Sequence, residues 1–464
     1  MPSSAAFDEL RTVAVGRLLW KYSFPAVVGM LVMTLYNVFD RIFIGQVVGP
    51  DAIAGLAITF PVMNIATALG TLIGVGATAC TSLFLGEGRI DMARNTLGNA
   101  LTMTLAIGVV YISLFAVFMD QVLIVFGANE VTLPYARDFM MYILPGLMLT
   151  NITFSLNNIM RAAGYPVRAM VTMFLGAGLN ILLAPIFIYV LQLGIKGAAI
   201  ATDIAMAISA AFVIAHFMKA KNGPIVFSRG VYRPNWPLIW NIIGIGSAPF
   251  VVNTGSCLIN IFLNRTLLEF GGVAGIAAAG IFVTFSSMLV SVILGICQGM
   301  QPIVGFNYGN RQAARVEKVY WLAVGVATIV SFAGFAMART MPHWIARAFV
   351  SDAHLVDFTA KALRLAMTCF WMVGLQVIST TYFQAIGKVG LSIFLSLTRQ
   401  IIFFLPLLFL LPGYFGLEGV WYTFFTSDIL ATLVTVVLMI RALKSLRSME
   451  ITACCGSSQE IALP

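Results

Sequence analysis

Long apolar runs separated by short polar segments make up most of the chain. Each run reaches the roughly 20 residues that an α-helix needs to cross a bilayer. Twelve can be placed, and we number them spans 1 to 12: 18–46, 51–85, 92–118, 133–160, 166–190, 195–219, 237–270, 274–307, 314–338, 356–385, 389–411 and 417–441. No segment alternates like a membrane β-barrel strand. The pattern therefore predicts an all-α polytopic membrane protein with twelve transmembrane helices, since only helices satisfy their own backbone in lipid.

Composition agrees with a lipid-facing surface and excludes other classes. Of 464 residues, 60% are hydrophobic and 10% are charged, against about 25% charged in soluble domains. The net charge of +9 does not indicate nucleic-acid binding, because the basic residues lie in short loops. The six cysteines show no metal-ligand spacing. We also expect no cleaved signal peptide, because the N-terminus is polar and the following apolar run is too long.

The basic residues predict the orientation. Most of the 27 Lys and Arg fall in the N-terminus, the tail and the even-numbered connections. By the positive-inside rule these segments are cytoplasmic. We therefore expect a multi-pass protein of the plasma (inner) membrane with both termini in the cytoplasm.

The two halves of the chain resemble each other at an offset of about 223 residues. The paired positions include Pro25 and Pro249, Asp40 and Asn264, Arg161-Ala162-Ala163-Gly164 and Gln384-Ala385-Ile386-Gly387, and Thr202-Asp203-Ile204 and Ser427-Asp428-Ile429. The offset predicts an N-lobe of spans 1–6 (18–219) and a C-lobe of spans 7–12 (237–441), related by a pseudo-twofold axis along the membrane normal. Residues 1–17 are then a cytoplasmic N-terminus, 220–236 a linker and 442–464 a tail. Transporters with parallel repeats bind substrate between such lobes; a purely structural duplicated bundle is the alternative.

Three segments resemble a known transporter family. They read LYNVFDRIFIG at 35–45, RAAGYP at 161–166 and QPIVGFNYG at 301–309. With them the sequence resembles the multidrug and toxic compound extrusion (MATE) family, in its DinF/MepA-like branch. The resemblance implies a monomeric antiporter that exports organic, often cationic, compounds by alternating access, driven by protons or sodium. It implies no cofactor besides the coupling ion.

Polar residues at membrane depth are the candidates for ion coupling, because a charge there costs at least about 2.5 kcal/mol. Spans 1, 5 and 6 carry such residues at similar depth in the outer half of the N-lobe. The predicted set is Asp40, Tyr36, Asn180, Thr202 and Asp203. The family resemblance implies that the acid at Asp40 couples transport. Pairing of Asp40 with Arg41, and of Asp203 with Lys196, are the alternatives.

The choice of coupling ion depends on one departure from the family. Relatives often carry an Asp four residues after the Asn of span 5, where this chain has Ala184. A sodium site at Asp40, Asn180 and Thr202 would lack that ligand, so we favour protons and keep sodium as the alternative. Asp203 is a candidate to supply the missing acid.

Polar and Met side chains on the predicted helices are the substrate-binding candidates, because Met adapts to varied ligands. The set is Asn37, Asn157, Met33, Met63, Met173 and Gln298. Lipid contact for the Met residues and helix–helix hydrogen bonding for Gln298 are the alternatives. Arg399 in span 11 must face a cavity or a partner that the sequence does not identify.

The remaining function classes are less consistent with the sequence. His216, His343 and His354 are scattered, and no phosphate-binding lysine loop is present, so we predict neither an enzyme nor direct use of ATP. A lipid-linked sugar flippase of the wider superfamily is the alternative transporter, but it would favour further helices and a strongly charged cavity. A channel or receptor-like module is the third possibility.

Overall fold

A computed structural model describes the backbone of residues 3–47, 50–219, 223–228 and 230–459. Side chains are described for the same residues except 3–7, 36–47, 50–54, 257 and 449–459. The described residues form helices and connecting turns without any β-strand.

The N-lobe begins with a short helix, Ser3–Thr12, and continues through spans 1 to 6. These spans are Val15–Val47, Pro50–Gly86, Ile90–Val125, Leu133–Ala162, Pro166–Val190 and Gly194–Met218. The last turns of span 5, Ile186–Val190, are a π-helix. Six helices return the chain to the end at which it started.

Spans 7 and 8 follow each other in one helical run, Trp236–Gly309, of 74 residues. At roughly 1.5 Å per residue this run is about 110 Å long, and a bilayer core is only about 30 Å thick. Gly272 interrupts it with φ 60° and ψ −156°, a conformation that glycine adopts readily. The run is therefore two spans, 236–271 and 273–309, and Gly272 lies within the break that the sequence predicts.

The C-lobe ends with spans 9 to 12. Span 9 is Ala313–Thr340, followed by the short helix Pro342–Arg347. Span 10 consists of Ala353–Ala366 and Phe370–Ala385, bent by 48°. Span 11 is Val389–Phe415, with a π-helix at Thr398–Phe404, and span 12 begins the helix Leu417–Gln459. Ten described helices are long and apolar enough to cross a membrane, or eleven with span 10; the break at Gly272 brings the number to twelve and confirms the predicted fold class.

The two lobes pack closely at one end of the bundle. We call it the linker end, because it carries the connection 219–235 between spans 6 and 7, and we call the opposite end the far end. Backbone carbonyls approach glycines across the lobes here: Ile242 lies against Gly76, and Leu72 lies against Gly246. A Cβ at either glycine would collide with the opposing backbone. Glycine thus permits helix contacts that a larger residue would prevent.

Buried apolar residues follow the same division. One core at the linker end draws on both lobes, with Leu18 and Ile73 beside Ile242 and Ile293. Toward the far end the described cores are separate, one within the N-lobe around Tyr111 and one within the C-lobe around Phe282, Leu363 and Trp421. Among the described side chains, the inter-lobe hydrogen bond farthest from the linker end joins Thr34 and Ser291 at 3.0 Å. The described packing therefore joins the lobes at the linker end and leaves them separate beyond it.

The N-terminal helix fastens span 1 to the C-lobe. Leu10 is fully buried in the shared core. Arg315 of span 9 donates from Nη2 to the carbonyls of Leu10, at 3.1 Å, and Val13, at 2.8 Å. Asn307 of span 8 accepts from Arg315 Nε at 3.0 Å, which fixes the guanidinium. This clamp adds polar contacts to the apolar packing between the lobes.

The glycine contact makes a stability prediction. Gly246→Ala places a methyl group against the Leu72 carbonyl, and overpacking of this kind costs about 1–3 kcal/mol. We expect a lower Tm for purified protein in detergent, measured as temperature-dependent loss of the monodisperse species. The control is Gly244→Ala, whose added Cβ lies 3.6 Å from Val389 in ordinary contact; its Tm should stay equal or rise. Equal Tm losses in both variants would show that the close approach is not the cause.

Candidate functional site

A cavity with mostly apolar walls lies within the N-lobe and opens beside the lobe interface. Its enclosed space is about 50 Å³, and the empty volume that includes the open mouth is about 460 Å³. Spans 4, 5 and 6 form most of the wall, and spans 1 and 8 contribute one residue each. We call it the N-lobe cavity, and its lining is Met33, Thr150, Thr153, Phe154, Asn157, Asn158, Arg161, Thr172, Met173, Gly176, Met206, Ser209 and Gln298.

The cavity brings together Met33, Asn157, Met173 and Gln298, which the sequence analysis selected as substrate-binding candidates. Asn157 is buried, and its Oδ1 has no hydrogen-bond partner among the described residues. Gln298 donates from Nε2 to the sulfur of Met30 at 3.4 Å, so it belongs both to the cavity wall and to the contact between the lobes. The arrangement offers soft apolar walls with unsatisfied polar atoms between them.

Two substrate-binding candidates are not found in this lining. Met63 packs against the separate N-lobe core, with its sulfur 3.9 Å from the Thr59 hydroxyl. The side chain of Asn37 lies outside the described residues. The structure therefore separates Met63 from the four candidates that line the cavity.

Arg161 is a cavity residue that the sequence analysis did not select. It is 3% exposed, and its Nη1 donates to Asn158 Oδ1 at 3.2 Å. A basic residue at the end of an apolar run is typical of a loop charge that orients the protein, and the sequence pattern places Arg161 in that class. One feature of the sequence distinguishes Arg161 from a loop charge: its counterpart in the repeat is the neutral Gln384.

The ion-coupling candidates on spans 5 and 6 are partly brought together. Asn180 is 1% exposed, and its Nδ2 donates to Thr202 Oγ1 at 2.7 Å. The Thr202 hydroxyl in turn donates to the Ala198 carbonyl at 3.0 Å. Tyr36 and Asp40 lie on the helix Val15–Val47, but their side chains are outside the described residues.

Asp203 faces a different side of span 6. Its Oδ1 is buried without a hydrogen-bond partner among the described residues, and the carboxylate lies against the backbone of Gly146 in span 4. Tyr111 of span 3, whose hydroxyl donates to the Leu144 carbonyl at 3.3 Å, interacts with it electrostatically. Lys196, the alternative partner, instead pairs with Asp138 at 3.1 Å.

In the C-lobe the equivalent acid belongs to an ion pair. Asp428, the repeat counterpart of Asp203, is 6% exposed and accepts from Arg399 Nε at 3.0 Å. This pair identifies the partner of Arg399. Gln376 of span 10 donates to the Asp428 carbonyl at 2.7 Å and holds the same region of span 12. At the offset of about 223 residues the N-lobe counterpart of Arg399 is Gly176, so the N-lobe lacks this cation.

Comparison with known proteins identifies the family. The MatE profile matches residues 25–186 and 245–410. The chain belongs to the MatE family. Each matched segment falls in one of the two predicted lobes, so both halves of the chain carry the MatE pattern.

Relatives and solved structures of MatE-type transporters match nearly the whole chain. "Multidrug export protein MepA" of Staphylococcus aureus (strain MRSA252) is 27% identical over 428 residues, covering 92% of this chain and 93% of the relative. MepA of Staphylococcus haemolyticus (strain JCSC1435) is 26% identical over 419 residues, with coverages of 89% and 91%. A multidrug resistance MATE family transporter of the MOP superfamily in an outward-facing conformation superposes with a TM-score of 0.90 at 25% identity, covering 96% and 99%. A MOP superfamily transporter from Pyrococcus furiosus gives 0.89 at 25%, covering 95% and 98%.

The described residues of this MatE chain contain no group of three or more His, Cys, Asp or Glu side chains placed to hold a metal ion. The side chain of Asp40 lies outside that search. A cation site at Asp40, Asn180 and Thr202 would depend on oxygens from three helices, of which the structure shows the Asn180–Thr202 pair.

The two equivalent acids of the MatE lobes make a matched pair for mutation. Asp428→Asn leaves Arg399 without its counter-charge, and breaking a buried pair costs about 3–5 kcal/mol. The partial exposure of Arg399 places the expected loss at the low end. Asp203→Asn removes no ion pair that the described residues form, so its Tm in detergent should change little. Adding Arg399→Met to Asp428→Asn should recover part of the loss, and equal Tm changes for the two single variants would contradict this assignment.

Proposed function

We propose that this MatE chain is a multidrug exporter that exchanges small organic, often cationic, compounds for an inward-moving proton, with sodium as the alternative ion. Curated relatives at 26–27% identity are named multidrug export proteins. The observation that carries the proposal is the N-lobe cavity beside a lobe interface that is packed at one end only. Such a cavity can exchange its contents when the lobes change their arrangement.

The charge distribution supplies the orientation in this proposal. The linker end faces the cytoplasm by the positive-inside rule, and both termini lie there. The lobes, 18–219 and 237–441, are joined by the cytoplasmic linker 220–236, and the protein works as a monomer in the inner membrane. The described packing, closed at the linker end, is then the outward-facing state, and opening to the cytoplasm requires separation of the glycine contacts.

Coupling is assigned to the N-lobe, at Asp40, Tyr36, Asn180, Thr202 and Asp203. Asp203 has no ion-pair partner among the described residues, whereas Asp428 of the C-lobe is neutralised by Arg399. A carboxyl group without a fixed counter-charge is free to bind and release a proton. Ala184 is fully buried in the apolar N-lobe core, and the described contacts of Asp203 are with spans 3 and 4. A sodium site built from oxygen ligands would therefore have no carboxylate from span 5, and this favours the proton as the coupling ion.

The alternative transporter class is less consistent with the cavity. A lipid-linked sugar flippase is expected to have a strongly charged central cavity. The described lining of the N-lobe cavity contains one charged residue, Arg161, among amides, hydroxyls, Met and Phe.

In the proposed exchange, the ion and the substrate act through their differential affinity for the two arrangements of the lobes. Each can shift the equilibrium only as far as it binds one arrangement more tightly than the other.

The coupling assignment makes a functional prediction. Asp40→Asn should reduce gradient-driven efflux of ethidium from proteoliposomes to the level of protein-free vesicles, with expression and monodispersity intact. The physical reason is that an amide cannot bind and release the proton. Efflux is measured separately under a proton gradient and a sodium gradient, which also identifies the ion.

The matched control is Asp91→Asn, which changes an exposed acid at the linker end and should leave efflux unchanged. Wild-type efflux from Asp40→Asn under either gradient would refute the assigned role of Asp40. Loss of efflux in both variants would indicate a general effect of charge rather than a coupling site.

A further inference from the structure

We propose that Arg161 binds an anionic group of the transported compound, so that the N-lobe cavity selects molecules that carry a carboxylate as well as an aromatic or cationic body. The inference rests on the proposed function, because it names the substrate class of the same cavity. Among the organic compounds of the proposed function, it predicts a preference for those that carry a negatively charged group; a cation without one, such as ethidium, is then a weaker ligand of the same cavity.

The guanidinium of Arg161 is buried with few polar partners among the described residues. The side chain is 3% exposed and lines the N-lobe cavity. A guanidinium has five N–H donors, and the described contacts use one, at 3.2 Å to Asn158 Oδ1. No acidic residue lies in the described cavity lining, and no described acid forms an ion pair with Arg161. A buried charge is normally paired, so an anionic ligand would supply the missing partner.

Asp40 is not placed to neutralise Arg161. Arg161 is in the last turn of span 4 at the linker end. Asp40 is in the last turns of span 1, toward the far end. Two antiparallel spans of 30 or more residues put these positions tens of ångströms apart along the bundle, at roughly 1.5 Å per residue.

The neighbours of Arg161 on span 4 complete a built site. Thr153, Asn157 and Arg161 recur every four residues and therefore lie on one face of the helix. Thr153 Oγ1 and Asn157 Oδ1 are buried and have no hydrogen-bond partner among the described residues. These oxygens can accept from N–H or O–H groups of a ligand whose carboxylate binds Arg161. Met173 and Met206 supply polarisable walls for its aromatic part.

The repeat supplies the substitution that tests the proposal. Gln384 occupies the counterpart of Arg161 in the C-lobe, where it is buried at the same helix end. The fold therefore already accepts Gln at this position. Arg161→Gln removes the charge and keeps an amide donor for Asn158. Arg168→Gln is the matched control, because Arg168 contacts His216 at 2.9 Å and is not part of the cavity lining.

The probes are rhodamine 110, which has a free carboxylate, and rhodamine 123, its methyl ester. Fluorescence polarisation measures the Kd of each probe for the purified full-length protein in detergent. Wild type should bind rhodamine 110 more tightly than rhodamine 123. Arg161→Gln should weaken binding of rhodamine 110 by about tenfold or more, as expected for loss of charge-assisted hydrogen bonds, and change rhodamine 123 less than about twofold. Arg168→Gln should leave the ratio of the two Kd values as in wild type.

Several results would overturn the proposal. The first is a wild-type protein that does not bind rhodamine 110 more tightly than rhodamine 123. The second is an Arg161→Gln variant whose Kd values for both probes are unchanged. The third is an Arg161→Gln variant that binds both probes equally more weakly, which would assign Arg161 a structural role. The Kd ratio is independent of ion coupling. Failure of gradient-driven efflux with an intact ratio would therefore count against the proposed antiport and not against the anion site.

Discussion

The close contact of the two lobes at the linker end is the constraint on which the rest of the structure depends. Lipid tails are as apolar as Leu side chains, so helices in a bilayer associate through packing rather than through a hydrophobic force. Gly76, Gly246 and Gly299 remove the side chains that would keep spans 1, 2, 7 and 8 apart. The backbones then approach closely enough for one core to include both lobes. Toward the far end the described cores do not join, and the N-lobe and the C-lobe each have a core of their own.

The duplicated architecture carries unequal chemistry. Asp428 and Arg399 join spans 11 and 12 through a buried ion pair, and Gln376 adds span 10 to the same group. The N-lobe has the acid, Asp203, but Gly176 stands where the C-lobe has its arginine. A fixed ion pair favours one packing of its helices, while an acid beside Gly146 and Tyr111 can change its protonation without breaking such a pair. This difference is the physical reason for our proposal that coupling lies in the N-lobe, while the ion pair fixes the packing of spans 11 and 12 in the C-lobe.

The sequence predicts the membrane spans well because apolar length is a strong signal that neighbouring helices do not override. The break within the 74-residue run lies where the apolar pattern predicts it. Asn180 and Thr202 were predicted only at a similar depth, and the structure adds the hydrogen bond between them. Depth does not give the direction in which a side chain points around its helix. Met63 was therefore grouped with Met33 and Met173, although it faces the apolar N-lobe core. The burial of Arg161 and the pairing of Arg399 depend on tertiary packing in the same way.

The position of the N-lobe cavity connects its contents to the lobe contact. Gln298 belongs to the C-lobe, yet it lines the cavity and donates to Met30 of span 1. Met33, one turn farther along span 1, lines the same cavity. In the proposed cycle, separation of the lobes at the linker end moves span 8 away from span 1 and removes Gln298 from the wall. A bound compound that touches Gln298 therefore has more contacts in the closed arrangement than in the separated one. That difference in contacts is what a ligand needs in order to shift the equilibrium between two states.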